Sequence, residues 1–499
     1  MRFISMSHLL TAVLICLCSL SADAAPRDRL VVCDDVRDPQ SLDPHKELSE
    51  KVHILLQQIY EGLVRFGPAG AIEPALAMSW EQIDPLTVRF HLRPGVAFHN
   101  GDEFNAEAVR LSVERLLDPR TQSPAAGFIN SVRQVVVVDP HTVDIVTHYP
   151  DGILLNRLAW TVPIISPKHL RVAGDIKFAV EPVGTGPFKF LRWDRGRRII
   201  LGANGSYWMK DAPKLRELEF AFVPENKKLG MLFRGELDLV TNIPGTKTLE
   251  VQKRRDTKVI KGMTFFTAFA SLNISTGPFA DVRVRRAVNL AVDKEALVRY
   301  DLQGNGRIIA SLSMPGEFGH ALDLRAYPYD PVKAKALLKE AGYQNGFVVQ
   351  AGGNINAERT AKIIASDLEK IGIKVKLNLS ADADLLDDFR SHTYDMIFGG
   401  VPDPMAHTYF IQSMVLYSRS PYCISKNPEY DAMLEKMVST VDSRQREILA
   451  QELDRHVYNN AYGIFTYQRI QTHAAREALQ FTPYLNGFPY FYSTTYAKE

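Results

Sequence analysis

The clearest pattern of apolar and polar positions is the alternation between Thr87 and Leu92, which predicts a strand with one buried face. Arg93-Pro94-Gly95 ends this strand, and Val96-Ala97-Phe98 predicts a short second one. A helix follows, because apolar residues then recur at helical spacing, Asn105 can cap the helix, and Asp118-Pro119 stops it. This segment is therefore predicted to be a β-hairpin followed by a helix.

Later in the chain, helices and strands alternate. Asp330 is placed to cap a helix that has Pro331 in its first turn and ends at Gly342. The next predicted helix ends at Gly372 and leads into the alternating strand Ile373–Leu377. Units in which a helix precedes a strand predict an α/β fold with a substantially parallel sheet.

Length, charge and the N-terminus restrict the possible functions. A chain of 499 residues is larger than one hydrophobic core supports, so two or three lobes are expected. The net charge is only +2, and no basic run alternates with aromatic residues, so nucleic acid is not a predicted partner. The apolar run Leu9–Leu20 follows Arg2 and precedes Ala22-Asp23-Ala24. Residues 1–25 are therefore predicted to be a cleaved secretory signal.

The chain has four cysteines. Cys16 lies inside the apolar run, between Ile15 and Leu17 where a lipidation site prefers small residues, so no lipid anchor is expected at Cys16 or Cys18. Cys33 and Cys423 are far apart in sequence. An oxidising compartment permits a disulfide between them, but distant cysteines are more often buried or free, and their pairing stays open.

The residue identities in the predicted hairpin and helix are more specific than the pattern of apolar positions. Trp80, the run Leu92-Arg93-x-Gly95-Val96-x-Phe98-His99-x-Gly101 and the continuation Phe104-x-Ala106-x-x-Val109 resemble the signature of the family 5 extracytoplasmic solute-binding proteins. These are the peptide-, oligopeptide- and nickel-binding receptors of ABC importers. Further matches follow in the family's order: Tyr60-Glu61-Gly62-Leu63, the turn Gly184–Phe188 before Trp193, and Phe279–Val288. The resemblance extends from about residue 40 to the end.

The resemblance implies an α/β, two-lobed periplasmic binding protein of type II (cluster C) with an extra β-rich subdomain. Lobe I would contain 26–65, 185–265 and 473–499, with 66–184 as its β-rich subdomain, and lobe II would be 266–472. Two crossings between the lobes predict hinge strands near Lys261–Phe266 and Gln471–Ala475.

An enzyme is not expected. The chain has no His-Glu-x-x-His helix, no Gly-x-Ser-x-Gly elbow and no cysteine cluster at zinc spacing. The turn Gly184-Thr185-Gly186-Pro187 lacks the Lys-Ser/Thr ending of a phosphate loop, and Pro187 removes one amide. A carboxylate pair of the glycosidase kind leaves no motif, so a secreted hydrolase is kept as a less favoured alternative, as is a chaperone or signalling adaptor. No cofactor and no resident metal are predicted.

The expected ligand site departs from the pattern of the peptide-binding relatives. Those relatives hold the ligand amine with an acid in an Asp-x-x-Asp/Glu-Pro pattern after a strand. Here Asp403-Pro404 keeps the second half, but Gly400 stands where the first acid is expected. Either Asp403 takes over the amine contact and the ligand is a peptide, or the amine site is lost. In the second case the ligand is a nickel chelate, an opine, haem or a sugar conjugate.

Three further residues complete the predicted site. Arg359 lies where dipeptide-binding relatives place an arginine for the ligand carboxylate, which a guanidinium binds through two hydrogen bonds; an ordinary surface arginine is the alternative. The shortened Gly-x-Pro-Asp-Pro loop, with His407 three residues beyond Pro404, resembles the nickel-binding branch. His407 could therefore contact a metal chelate, or could be a solvated or capping side chain. Tyr409 belongs to an aromatic group that lines a cleft or packs a core.

The predicted function is that of a monomeric periplasmic receptor. It would capture di- or oligopeptides by lobe closure and deliver them to the permease subunits of an ABC importer, with a non-peptide solute as the alternative ligand.

Overall fold

The computed structural model describes residues 28–34, 38–381, 384–391 and 393–497. The predicted signal segment, with Cys16 and Cys18, lies outside the described residues. Within them, no helix is both long enough and apolar enough to cross a membrane.

The strands are numbered in chain order along the described residues. They are β1 (Arg29–Cys33), β2 (Val64–Phe66), β3 (Ile72–Pro74), β4 (Ala77–Asp84), β5 (Thr87–Leu92), β6 (Val132–Asp139), β7 (Thr142–Thr147), β8 (Phe188–Asp194), β9 (Arg198–Ala203), β10 (Glu217–Ala221), β11 (Leu239–Val240), β12 (Thr257–Leu272), β13 (Gly306–Ile308), β14 (Phe347–Asn354), β15 (Ile373–Ser380), β16 (Met396–Pro402), β17 (Gly463–Arg476), β18 (Leu479–Gln480) and β19 (Thr495–Tyr496).

The α-helices are numbered in the same way. They are α1 (Glu50–Ile59), α2 (Ala106–Leu117), α3 (Leu154–Thr161), α4 (Pro167–Phe178), α5 (Glu225–Phe233), α6 (Thr248–Gln252), α7 (Val282–Ala291), α8 (Lys294–Ala296), α9 (Pro331–Glu340), α10 (Glu358–Glu369), α11 (Leu385–Ser391), α12 (Tyr409–Val415), α13 (Pro428–Ser439) and α14 (Ser443–Asn459).

The largest sheet extends through both halves of the molecule. Its strand order is β15-β14-β16-β12-β17-β11-β1-β10-β9-β8, and β13 pairs with β17. We call β11, β1, β10, β9 and β8 the first half-sheet and β15, β14 and β16 the second. In each half the inner strands are parallel, β1 with β10 and β11, and β14 with β15 and β16. The predicted α/β fold with parallel pairing is confirmed.

Two long antiparallel strands, β12 and β17, connect the half-sheets. Their pairing is regular from Thr257 to Met263, is interrupted up to Thr267, and then continues in a shifted register. The interruption falls within the predicted hinge segment Lys261–Phe266, whereas Gln471–Ala475 lies in the regularly paired part. A break in a ladder removes backbone hydrogen bonds and permits bending. A hinge at this point stays a prediction.

A separate four-stranded sheet, in the order β4-β5-β7-β6, packs with α2 around its own core. As the alternation predicts, Val88, Phe90 and Leu92 are buried. Asn105 caps α2, because its side chain accepts the backbone N–H groups of Glu107 and Ala108. We call residues 66–184, which contain this sheet, the β-rich subdomain.

The predicted strand at Val96–Phe98 is wrong. The structure has only an isolated bridge between Ala97 and Glu103 there. Val96 and Phe98 are nevertheless buried in the core of the subdomain. Their apolar character therefore reflects packing beneath a loop, which a short alternating pattern does not distinguish from a strand.

Cys33 is buried and Cys423 is half-buried, and the two form no disulfide in this structure. Burial raises the pKa of the Cys423 thiol to about 11. This thiol is therefore protonated at neutral pH and is a weak nucleophile.

Candidate functional site

The predicted site residues follow two neighbouring parallel strands. β14 and β16 pair side by side, with Gly353 opposite Phe398, so their carboxyl ends meet at one edge of the sheet. Arg359 follows β14, and Asp403 follows β16 directly. Open α/β sheets bind ligands outside the carboxyl ends of their strands, so a ligand site is expected at this edge.

Asp403 is almost completely buried and organises the loop after β16. Its carboxylate accepts the backbone N–H groups of Met405 at 2.7 Å and His407 at 2.9 Å. Its own backbone N–H donates to the carbonyl of Phe265 in β12 at 2.5 Å. The residue therefore holds a tight turn and fastens it to the linking strand. We call residues 403–409 the Asp403 loop.

A second buried acid, Glu317, contacts Asp403. The Glu317 carboxyl accepts the N–H of Met314 at 2.7 Å and forms a hydrogen bond with the Asp403 carboxyl. Burial raises the pKa of both groups, and that of Glu317 is raised further by the Asp403 charge. The two carboxyls therefore retain a shared proton, because two adjacent buried charges would lack compensation.

The carboxyl pair links stability to pH in a definite direction. Because the pKa of each group is higher in the folded than in the unfolded chain, the folded state binds protons more strongly. The pair's contribution to stability is complete below the unfolded pKa values, near 4. It decreases as the pH rises toward the folded values.

His407 and Tyr409 face a helix of the β-rich subdomain. His407 is 2% exposed, its Nδ1 accepts the N–H of Tyr409 at 3.0 Å, and its ring stacks on Phe318 with the centroids 4.8 Å apart. Burial lowers the pKa of His407 to about 3, so the imidazole is neutral. The Tyr409 hydroxyl accepts a hydrogen bond from Arg157 of α3 at 3.2 Å, and the guanidinium lies over the tyrosine ring.

The subdomain makes further contacts with this region. Asn156 donates its side-chain N–H to the Met405 carbonyl at 2.8 Å, and Gly152 donates its backbone N–H to the Val438 carbonyl at 2.7 Å. The rings of Phe128 and Phe410 are stacked, with a centroid distance of 6.2 Å. The Asp403 loop is thus held against α3.

Gly400 lies on β16, opposite Ala268 of β12. A Cβ atom at this position would lie 3.1 Å from Cζ of Phe266, which is tighter than most real contacts. The guanidinium of Arg469 is 3.9 Å from the centroid of the same phenylalanine ring. The surroundings of Gly400 are therefore aromatic and cationic.

Arg359 lies in the first turn of α10, and its side chain is 69% exposed. It forms an ion pair with Asp301, whose side chain is only 6% exposed. A cation in the first helical turn meets the positive end of the helix dipole, so a carboxylate partner offsets an unfavourable position. Arg359 is thus held in place while most of its surface remains open to solvent.

One further group of residues, not predicted from the sequence, surrounds a cavity of about 40 Å³. His53 of α1, Trp160 of α3 and Tyr490 of the C-terminal tail are among its lining residues. The ring centroids of His53 and Trp160 are 3.9 Å apart, and those of Trp160 and Phe488 are 4.8 Å apart. The dense aromatic tail, Phe488–Tyr492, was the available sequence signal for this cavity.

Comparison with known proteins identifies the scaffold. The profile of the family described as "Bacterial extracellular solute-binding proteins, family 5 Middle" matches residues 71–421. Heme-binding protein A of Haemophilus influenzae is 31% identical over 81% of this chain and 80% of its own length. Glutathione-binding protein GsiB of Pectobacterium atrosepticum is 25% identical over 85% of this chain and 86% of its own.

Solved structures agree with these sequence relatives. HbpA2 from Haemophilus parasuis has a TM-score of 0.83 at 26% identity, covering 94% of this chain and 99% of its own. NikA from Brucella suis, in complex with Fe(III)-EDTA, has a TM-score of 0.82 at 25% identity, covering 94% of this chain and 99% of its own. DppA from Helicobacter pylori, in complex with the peptide STSA, has a TM-score of 0.78 at 25% identity, covering 94% of this chain and 98% of its own. The relatives are solute-binding proteins rather than enzymes, and the predicted two-lobed fold is confirmed. This chain belongs to family 5 of the bacterial extracellular solute-binding proteins and is a periplasmic substrate-binding protein of an ABC importer.

Proposed function

We propose that this receptor captures small solutes that carry a carboxylate, with di- and oligopeptides as the first candidates. The observation that carries the proposal is the exposed guanidinium of Arg359, held by Asp301 at the edge where β14 and β16 end. A guanidinium binds a planar carboxylate through two charge-assisted hydrogen bonds. Glutathione, haem, a peptide and EDTA, which are named for the relatives and neighbours, all contain carboxylates.

Capture by lobe closure fits the contacts around the Asp403 loop. The cavity of about 40 Å³ has room for only a few water molecules, far less than a peptide needs. The β-rich subdomain meanwhile contacts the Asp403 loop through Asn156 and Arg157. We infer that these contacts separate for solute entry and form again around the bound solute. The closed form would then dock on the permease, and a separate ATPase would drive release.

Of the two interpretations of the amine site, we favour its loss. A peptide would then be held through its carboxylate at Arg359, without an acid for its amine. The Asp403 carboxylate already accepts two backbone N–H groups and pairs with Glu317 inside the protein. Using it for a ligand amine would break the turn that it holds. Tyr409 is likewise occupied by Arg157 of α3, and Nδ1 of His407 accepts the Tyr409 N–H, although the buried Nε2 of His407 has no partner among the described residues. We assign all three residues to positioning the loop.

The loss of the amine site gives the non-peptide ligands, namely haem, an opine, a nickel chelate or a sugar conjugate, specific support. An acid is missing at Gly400, and the neighbouring Phe266 and Arg469 would favour a flat or anionic group instead of an ammonium. These solutes form the second candidate class.

The direct test is to denature the purified mature protein and identify by mass spectrometry the solute that it retained. Thermal-shift measurements with glutathione, alanine dipeptides, haemin, a nickel–histidine chelate and an opine would then rank the candidates, because ligand binding raises the melting temperature. We expect Arg359→Ala to weaken binding of the retained solute at least tenfold. Arg120→Ala is the matched control, since Arg120 is an exposed arginine that also pairs with an aspartate. A retained solute without a carboxylate, or an Arg359→Ala protein that binds like wild type, would refute the proposal.

A further inference from the structure

The cavity beside α3 has walls from three distant segments of the chain. α1 contributes His53 and Leu56, the region of α3 contributes Trp160 and Val162, and the C-terminal tail contributes Tyr490. The walls are thus aromatic and aliphatic over most of their area. Ligand pockets characteristically combine such walls with a few polar groups.

The polar groups at the cavity are largely occupied by the protein itself. Gln57 donates to the Pro489 carbonyl at 2.9 Å, and the Pro163 carbonyl contacts Nε2 of His45 at 2.9 Å. Glu47, the acid among the lining residues, is half-buried and accepts the Ser49 N–H at 2.8 Å. The described lining residues include no lysine or arginine, so an anionic ligand group would lose hydration without compensation. A cationic group would have only Glu47, which already accepts the Ser49 N–H.

The rings of His53 and Trp160, which both line the cavity, contact each other. Their centroids are 3.9 Å apart, with an angle of 38° between the planes. A benzene-sized ring requires a cavity of about 150 Å³, so it would fit only after the two rings part. Burial lowers the pKa of His53 to about 3, so its neutral ring offers a partner for an uncharged group.

Through Trp160, the cavity wall continues into a hydrophobic cluster beside the linking strand β12. Trp160 and Phe488 belong to a hydrophobic cluster that includes Phe265 of β12 and Met405 of the Asp403 loop. Because Trp160 and Met405 belong to one cluster, a solute held beside the Asp403 loop would lie near this wall. The position of the cavity supports a ligand contact over a purely internal void.

We propose that this cavity is a subsite of the receptor that takes an uncharged apolar or aromatic group of the solute between His53 and Trp160. The inference rests on the proposed capture of a small solute and adds a chemical requirement, since the preferred solute carries an apolar group as well as a carboxylate. The solute's group would part the two rings. The indole of Trp160 would then change its environment on binding.

The chain's four tryptophans permit a sharp test. The emission of the full-length mature protein would be titrated with the dipeptides Ala-Phe and Ala-Ala, and with Ala-Phe in the variants Trp160→Phe, Trp80→Phe and Trp193→Phe. Trp80 packs against the core of the β-rich subdomain, and the Trp193 indole donates to Asp38, so these variants are matched controls. We expect Ala-Phe to bind at least tenfold more tightly than Ala-Ala. Its emission change should vanish only in Trp160→Phe.

Calorimetry on the same samples separates this inference from the proposed function. If the dipeptides bind equally well, or if the emission change survives in Trp160→Phe, the subsite is wrong although the receptor role stands. If neither dipeptide binds, the assigned occupant is wrong, while the retained solute still decides the receptor role independently. Melting curves show whether each variant is folded, and Trp160→Phe keeps an aromatic ring in the core.

Discussion

Closure can be tested with a single added methyl group at Gly152. This glycine lies in the β-rich subdomain, and its backbone N–H donates to the Val438 carbonyl at 2.7 Å. A Cβ atom here would lie 2.1 Å from the backbone oxygen of Thr440, whereas ordinary contacts begin near 3.4 Å. Gly152→Ala must therefore move the two segments apart by about 1.3 Å, which stretches the hydrogen bond to about 4 Å and breaks it.

The expected cost follows from that geometry. Overpacking of this kind typically costs about 1–3 kcal/mol, which includes about 1 kcal/mol for the lost hydrogen bond. The contact joins the subdomain to the region after α13, so the cost falls on the closed arrangement and spares the cores of both parts. If the closed form binds solute, affinity should fall by roughly 5- to 150-fold, since 1.4 kcal/mol corresponds to a factor of ten.

Small-angle scattering and calorimetry measure this effect. We expect Gly152→Ala to show a larger radius of gyration without ligand and weaker binding of the retained solute. Gly127→Ala is the matched control, because Gly127 lies in the same subdomain and an added Cβ would meet no atom within 4 Å. Scattering curves and affinities that are identical for the two variants would refute the reasoning.

Two further predictions concern charged groups. Glu317→Gln removes an ionisable partner while keeping a hydrogen-bond donor to Asp403. The melting temperature of this variant, relative to wild type, should therefore rise between pH 5 and pH 8. Glu447→Gln, at an exposed acid of α14, is the control and should show no such trend. A difference in melting temperature between Glu317→Gln and wild type that stays constant with pH would contradict the shared proton. Asp301→Asn should weaken binding of a carboxylate solute several-fold because Arg359 loses its support. Glu358→Gln breaks the neighbouring exposed ion pair with Lys362 and should not weaken binding. Binding titration curves that are equal for Asp301→Asn and wild type would count against the role of Asp301.

Local signals predicted the local parts of this fold. The strand Thr87–Leu92 and the cap at Asn105 follow from side-chain alternation and from one side-chain oxygen near free amides. The helix behind Asp330 begins and ends where its cap and Gly342 indicate. In each case the determining groups lie within a few residues of one another, so the sequence already contains the interaction.

The site depended on contacts between distant segments, and there the sequence was insufficient. Asp403 meets Glu317 only because the loops after β13 and β16 come together. Arg359 meets Asp301 across 58 positions, and the wall of His53 and Trp160 spans more than 100. Residue type alone does not indicate whether an acid is a ligand contact or a buried support. That distinction requires the partners, which only the fold supplies.

Gly400 shows why a family pattern identifies the scaffold better than the ligand. Read as a pattern, the glycine is a missing acid, and restoring aspartate would restore an amine site. In the structure a Cβ at position 400 would lie only 3.1 Å from Cζ of Phe266, and the Arg469 guanidinium lies over that ring. An aspartate would have to displace the ring and would then lie near a guanidinium that competes for its charge. Gly400 therefore suits its surroundings, because the Phe266 ring and the Arg469 guanidinium leave little room for an acidic side chain at this position.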